Sequence, residues 1–258
     1  MTDGATDSPA VSGPESLRGQ VALVTGASSG IGEAIAVALA AEGARVALAA
    51  RRVGRLQALA ERLAPAETLV VECDVREEEQ VKSAVAQTLA RWGQLDILIA
   101  NAGFGYRSPT LLGNTATWKA MIDTNVYGLL LTLKHGAAPL VERKHGHVIV
   151  MSSIAGVVTT AGGGAYCGSK AAASAIADAL RMEIGPQGVG VTAIEPGVVI
   201  SEFQQVAGYT PDIVPNMLKG ASPLYPPDIA RAVIFACQQP AHAAINELII
   251  RPRGQTHP

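Results

Sequence analysis

The sequence predicts the α/β class: a single doubly wound domain built on a seven-stranded parallel sheet. Three observations carry that expectation. Short apolar runs alternate with amphipathic stretches of helical period along most of the chain. The runs are rich in Val, Ile and Leu and lack strict polar alternation, the pattern of strands covered on both faces. Helical crossovers between successive strands then force parallel pairing. An eight-unit βα barrel has a similar length but needs eight strands, and this chain offers seven.

In chain order, VALVT predicts the first strand, Val21 to Thr25, closed by Gly26, and the run behind that glycine turn predicts a helix from Ile31 to Glu42. The second unit pairs a strand at Arg45 to Ala49 with a helix at Val53 to Leu63. The third pairs Thr68 to Glu72 with a helix from Glu77 to Trp92. A fourth strand, Leu95 to Ala100, stops at Asn101 and is followed by a long helical pattern from Thr117 to Arg143. His147 to Met151 is the fifth strand, closed by Ser152, with a helix from Tyr166 to Ile184. The sixth, Val189 to Glu195, ends at Pro196; a helix from Asp228 to Cys237 and a last strand, Glu247 to Ile250, complete the set. Between them, residues 198–224 break the alternation with Gly208, Pro211, Pro215 and Pro223. A loop this long inside a compact domain is expected to be a substrate lid.

A chain of 258 residues can bury a self-sufficient core without a metal or disulfide staple. With 20 basic against 22 acidic side chains it lacks the surplus positive charge of a nucleic-acid binder, and no nucleic-acid partner is expected. Cys73, Cys167 and Cys237 are odd in number and far apart, which argues against a disulfide framework and for a reduced, cytoplasmic setting. Residues 1–17 carry no apolar core of a signal peptide and predict a disordered lead-in to a domain spanning 18–258. The longest charge-free stretch, Val148 to Ser169, has Gly, Ser or Thr at 10 of its 22 positions, so no membrane association is expected. The five histidines show no metal-ligand spacing, and no metal is implied.

Chemistry enters with the glycines. Gly26, Gly30 and Gly32 stand between the first strand and the first helix, where a sharp turn must bring bare backbone and free helical N–H groups close to a pyrophosphate. That placement points to a dinucleotide in a Rossmann-type domain, although glycine turns also occur for structural reasons. The second strand ends in ALAARR: Ala50 offers no carboxylate, and Arg51 and Arg52 offer guanidinium forks suited to a 2′-phosphate. NADP(H) is therefore expected over NAD(H), the alternative being a solvated arginine pair.

Tyr166 and Lys170 in YCGSK fall on one helix face, four residues apart. At a separation of about 5 Å and an effective dielectric of about 20, an ammonium would stabilise the phenolate by roughly 3 kcal/mol, enough to make it a useful acid or base. Taken alone, such a pair is more often a packed aromatic beside a snorkelling amine. The combination is more telling. TGASSGIG at Thr25 to Gly32, CDV at Cys73 to Val75, NAG at Asn101 to Gly103, Asn125, Ser153, YCGSK and EPG at Glu195 to Gly197 resemble, in order and spacing, the short-chain dehydrogenase/reductase family.

That resemblance implies a carbonyl–alcohol oxidoreductase acting on a small organic molecule. Tyr166 would be its general acid and base, Lys170 would bind the nicotinamide ribose, Ser153 would polarise the substrate oxygen and Asn125 would support a proton relay. It further implies that Gly26, Ser28, Ser29, Gly30, Ile31, Gly32, Arg51, Arg52, Asp74, Val75, Asn101, Ala102 and Gly103 line the adenosine and phosphate half of the cofactor cleft. Tyr166, Lys170, Pro196, Gly197, Val199 and Ser201 would line the nicotinamide half. Asp74 would contact adenine or merely cap a strand, and Asn101 would face the ribose or form a turn. Glu195 would face water or select a basic substrate. Phe104, Tyr106, Phe203, Tyr209 and Met217 would line a substrate pocket or serve as packing. Relatives of this kind commonly assemble as tetramers through the helices beginning near Thr117 and Tyr166, so a homotetramer is expected, with a dimer next. The competing expectation is a catalytically silent nucleotide sensor or scaffold of the same fold, which would commonly have lost the Tyr or Lys.

Overall fold

A computed structural model describes residues 16–255; most of the predicted lead-in, residues 1–15, lies outside them. Leu17 is already fully buried in the core, so packing begins one residue ahead of the expected domain start.

Seven strands form one parallel sheet: β1 (Val21–Thr25), β2 (Arg45–Ala50), β3 (Thr68–Glu72), β4 (Ile97–Ala100), β5 (His147–Met151), β6 (Gly190–Pro196) and β7 (Glu247–Ile250). Their order is β3-β2-β1-β4-β5-β6-β7. The direction of winding reverses between β1, which pairs Val21 with Arg45 of β2, and β4, which sets Ile97 beside Ala22. A crevice at such a switch point, beyond the carboxyl ends of the strands, is where open sheets bind ligands.

The helices are α1 (Gly30–Ala41), α2 (Val53–Leu63), α3 (Glu78–Trp92), α4 (Thr115–Ile122), α5 (Gly128–Gly136), α6 (Ala138–Arg143), α7 (Gly164–Ile184), α8 (Phe203–Val206), α9 (Ile213–Leu218) and α10 (Pro226–Cys237). Alternate strand residues feed opposite faces. Val21, Leu23, Leu98, Val148 and Val150 meet Val81 and Val85 of α3, Leu133 of α5 and Ala173 and Ala177 of α7. Ala22, Val24, Leu48, Ile97, Ile99 and Ile149 meet Ile35 and Leu39 of α1, Leu56 of α2 and Val233 of α10. Each such Leu or Ile, fully buried, contributes about 1.5 to 3 kcal/mol, which is why the apolar runs fix the strands.

The expected continuous helix from Thr117 to Arg143 is interrupted twice. Residues Asp123–Tyr127 form a π-helical turn between α4 and α5, and a break at Ala137 separates α5 from α6. Pro139 at the start of α6 has no N–H to continue the ladder, which accounts for the second break. The first is set by a side chain in the site below. No helix among the described residues is long and apolar enough to cross a membrane, and the charge-free stretch from Val148 is divided between β5, a 3₁₀ turn (Ile154–Gly156), a loop and the start of α7.

Candidate active site

The predicted residues gather beyond the carboxyl ends of β1 to β6. At the end of β1, Gly26 (φ +69°) and Gly30 (φ +57°) take left-handed conformations that a side chain would strain. A Cβ on Gly32 would lie 2.4 Å from the Gly26 carbonyl oxygen, so the first turn of α1 sits directly on the loop that precedes it. Thr25 Oγ1 ties this loop to β4: it donates to the Ile99 carbonyl at 3.0 Å and accepts from the N–H groups of Asn101 and Ala102 at 3.0 and 3.2 Å. Asn101 Nδ2 donates to the Thr25 carbonyl at 2.9 Å. Its amide nitrogen therefore braces the glycine turn, the turn-forming alternative of the sequence reading. Ile31 is half-buried against the core.

Ser29 is the extended N-cap of α1 and makes no side-chain cap bond; its hydroxyl instead accepts from Arg52 Nη2 at 2.6 Å, while Ser28 accepts from Arg52 Nε at 3.1 Å. Arg51 is exposed, with Nη1 4.0 Å from Asp74 Oδ2. Asp74 is gripped by Arg76, whose Nε and Nη2 reach its two oxygens at 2.9 and 2.5 Å and hold the carboxyl below its usual range. Asp74, beyond the end of β3, is thus already ion-paired. Val75 is buried and packs on Gly128 of α5.

Helix α7 starts two residues earlier than expected and places Tyr166 and Lys170 in its first two turns. Lys170 Nζ is buried and donates to the Met151 carbonyl at 2.7 Å; loss of solvent pushes its pKa down to about 8. Ser153, extended at the end of β5, accepts from Ala155 N–H at 3.1 Å and hydrogen-bonds Tyr166. Asn125 lies in the π-helical turn. Its Oδ1 accepts from Phe104 N–H at 3.0 Å, and its Nδ2 donates to the Phe104 carbonyl at 2.8 Å and to Ser169 Oγ at 3.0 Å. These bonds hold the fully buried amide inward and account for the extra backbone residue in that turn. Gly103 closes the group: a Cβ there would come within 3.0 Å of Asn125 Oδ1 and 3.6 Å of Lys170 Nζ.

The acidity of Tyr166 departs from the sequence expectation. Burial pushes its pKa well above that of an ordinary phenol, and the Ser153 hydrogen bond opposes this only in part. Lys170 does not supply the expected lowering. Loss of solvent disfavours the charged form of both groups, raising the phenol and lowering the amine.

Residues 198–224 form α8 and α9, anchored at their base by a parallel bridge between Val199 and Leu224, and α8 meets this cluster through Phe203. Ser201 Oγ accepts from Phe203 N–H at 3.2 Å. The Phe203 ring stands 5.6 Å from that of Tyr166 and 6.1 Å, edge-on, from that of Tyr209; it also fills the space that a side chain on Gly105 would need. Tyr106 and Met217 are half-buried nearby in sequence, without a ring contact to this group. Pro196 ends β6 and Gly197 N–H donates to the Ile250 carbonyl at 2.7 Å, so this pair joins the cleft floor to β7.

Glu195 faces neither water nor the cleft mouth. It is 1% exposed, with Oε1 accepting from Ser174 Oγ at 2.6 Å; Ser174 in turn meets Ser152 Oγ at 2.8 Å, and Ser152 donates to the Lys170 carbonyl at 3.0 Å. Burial, with Glu247 of β7 alongside, pushes the Glu195 carboxyl up to about 7. The sequence reading also missed Arg55 and Glu202, which pair across the cleft through Arg55 Nη1 and Glu202 Oε1 at 2.6 Å. Arg55 follows Arg52 by one helical turn, a usable signal; Glu202 has no local one.

A family model described as short chain dehydrogenase matches residues 20–210. Among curated proteins, the chain is 41% identical over 253 residues to the glycine betaine reductase of Emericella nidulans, covering 96% of this chain and 20% of that much longer protein. It is 38% identical over 240 residues to an uncharacterized oxidoreductase of Staphylococcus saprophyticus, covering 92% and 98%. Among solved structures, the closed form of a serine dehydrogenase complexed with NADP+ superposes with a TM-score of 0.87 at 34% identity, covering 92% of this chain and 97% of that one. An alcohol dehydrogenase from Thermococcus sibiricus complexed with 5-hydroxy-NADP gives 0.83 at 33%, covering 93% and 99%.

Proposed function

Because the chain belongs to the short-chain dehydrogenase family, we propose that it is an NADP(H)-dependent oxidoreductase interconverting a ketone or aldehyde and an alcohol on a small organic substrate. The observation that carries this reading is the gathering of Ser153, Tyr166 and Lys170 beside the glycine turn, under a lid of aromatic residues.

The residues present fit the dinucleotide. The turn at Gly26 to Gly32 has left-handed glycines and no room for an added Cβ at Gly32. The first N–H groups of α1 carry no side-chain cap, and Arg51 and Arg52 stand at the end of β2. Ser28, Ser29, Gly30 and Arg52 would hold phosphate oxygens, Asp74 and Val75 would flank the adenine, and Lys170, Val199 and Ser201 would hold the nicotinamide end. NADP-bound relatives support the phosphorylated form. When bound, the cofactor supplies or accepts the hydride.

The chain's own groups handle the proton. Tyr166, kept neutral by burial, donates its hydroxyl proton to the carbonyl oxygen as that oxygen gains charge. Ser153 offers a second donor to the same oxygen. Asn125 holds residues 103–104 against Lys170, and Phe203 and Tyr209 exclude water from the reacting atoms. The reading includes a cytoplasmic homotetramer, supported by the free, buried cysteines and by exposed Ile122, Tyr127 and Leu130 along α4 and α5 with Met182 on α7. NADPH consumption over a panel of aldehydes, ketones and β-keto esters tests it. Tyr166→Phe is expected to lower kcat by about 10² to 10⁴ with NADPH affinity kept; equal turnover overturns Tyr166 as proton donor.

A further inference from the structure

The lid is tied to the cofactor half of the cleft through one carboxylate. Glu202, just ahead of α8, accepts from Arg55 Nη1 on both oxygens, at 2.6 and 2.8 Å, and from Arg52 Nη1 at 3.1 Å. The same Arg52 reaches Ser28 and Ser29 with its other nitrogens. One residue earlier, Ser201 lies over the glycine turn: a Cβ on Gly30 would stand 3.4 Å from the Ser201 Cβ. The start of the lid therefore rests on the N-terminus of α1 and places an anion between two guanidinium groups and the serines of the phosphate loop.

A carboxylate presents one negative charge and two acceptor oxygens; a phosphate monoester presents nearly two charges and three oxygens to the same donors. The side chains of Arg52, Arg55 and Glu202 are 45%, 50% and 44% exposed, so the pairs are solvated and readily exchanged. We propose that Glu202 is an internal stand-in for the 2′-phosphate of NADP(H). In the unloaded protein it straps the lid across the cleft; on loading, the phosphate takes over Arg52 and Arg55 and the strap is released. Arg55 is then a specificity-determining residue, and Glu202 a competitor felt only by a phosphorylated ribose. NAD(H), with a 2′-hydroxyl, brings no anion to exchange. The inference rests on the NADP(H) reading above.

Calorimetric binding of 2′,5′-ADP and of 5′-ADP to the full chain tests it directly. Glu202→Gln is expected to tighten 2′,5′-ADP about three- to tenfold, the scale of one or two half-exposed ion pairs, and to leave 5′-ADP within about twofold. Arg55→Met is expected to weaken 2′,5′-ADP about tenfold or more while sparing 5′-ADP. Equal changes for both ligands, or none in either variant, overturn the stand-in. Wild-type protein that binds 2′,5′-ADP no better than 5′-ADP, and NADH better than NADPH, instead removes the NADP(H) reading and the inference with it. A wild-type preference for 2′,5′-ADP with unresponsive variants removes the inference alone.

Discussion

Glu195 offers a sharp test of the physical picture, because its substitution should stabilise the protein in one pH range and not in another. Its carboxyl is almost fully buried between Ser174 and Glu247, and its pKa rises from 4.5 to about 7, chiefly through loss of solvent. Between those values the folded chain binds a proton that the unfolded chain has released. Stability therefore falls as pH rises through the window, and the penalty is complete above about pH 7. The rise corresponds to at most about 3 kcal/mol. Glu195→Gln keeps the size and the acceptor for Ser174 but removes the ionisation. The gap between variant and wild type should widen by about 2 kcal/mol from pH 5 to pH 8 in favour of the variant, seen as a relative rise in Tm of roughly 4 to 8 °C. His147, which burial pushes from 6.5 down to about 4, adds its own pH dependence between those values, but it does so in both proteins and cancels in the difference. Thermal unfolding at a series of pH values measures it. A gap that does not change with pH refutes the buried-acid reasoning, whatever its size.

Arg51→Asp should move cofactor preference from NADPH toward NADH by about 10- to 100-fold in kcat/KM, the worth of a charge-assisted bond to phosphate; an unchanged NADPH to NADH ratio removes Arg51 from the 2′-phosphate site. Gly32→Ala pushes a Cβ against the Gly26 carbonyl and should cost about 1 to 3 kcal/mol together with most dinucleotide affinity. Gly54→Ala, exposed in α2 with nothing within 4 Å of its added methyl, is the control and should stabilise by about 0.5 to 1 kcal/mol; denaturant melts and NADPH titrations of the two variants compare them.

What the sequence made legible is what each segment decides for itself. The strand runs at Val21, Thr68, His147 and Glu247 match the observed strands at both ends: burial on both faces leaves a continuous apolar signal in the first and third, and the partly exposed edge strands at Thr68 and Glu247 are marked by their Val, Leu and Ile content. The glycine turn was readable for a similar reason: its left-handed residues and the close approach of Gly32 are demands that local sequence must meet. The π-helical turn was not, since Asn125 is fixed by Phe104 and Ser169, 21 residues before it and 44 after it. Nor was the strap, whose carboxylate lies 150 residues from Arg52. Glu195 reads as a polar strand end until Ser174 and Glu247 close around it.

Tyr166 shows the same division within one pair of residues. The four-residue spacing correctly puts the phenol and the amine on one helix face, but spacing says nothing about solvent, and solvent decides which way each proton affinity moves. With the amine buried and the phenol half-buried, loss of solvent makes the phenol hold its proton more tightly and the amine more loosely. Loss of solvent thus works against the attraction between ions that a spacing argument counts on, since it disfavours the charged form of both groups. A neutral phenol is the form that can give a proton to a carbonyl oxygen, so, on the proposed role of Tyr166, carbonyl reduction should need no deprotonation of the phenol near neutrality. Alcohol oxidation would need the phenolate and should be fastest at alkaline pH. That asymmetry follows from where the core places two side chains, not from which side chains they are.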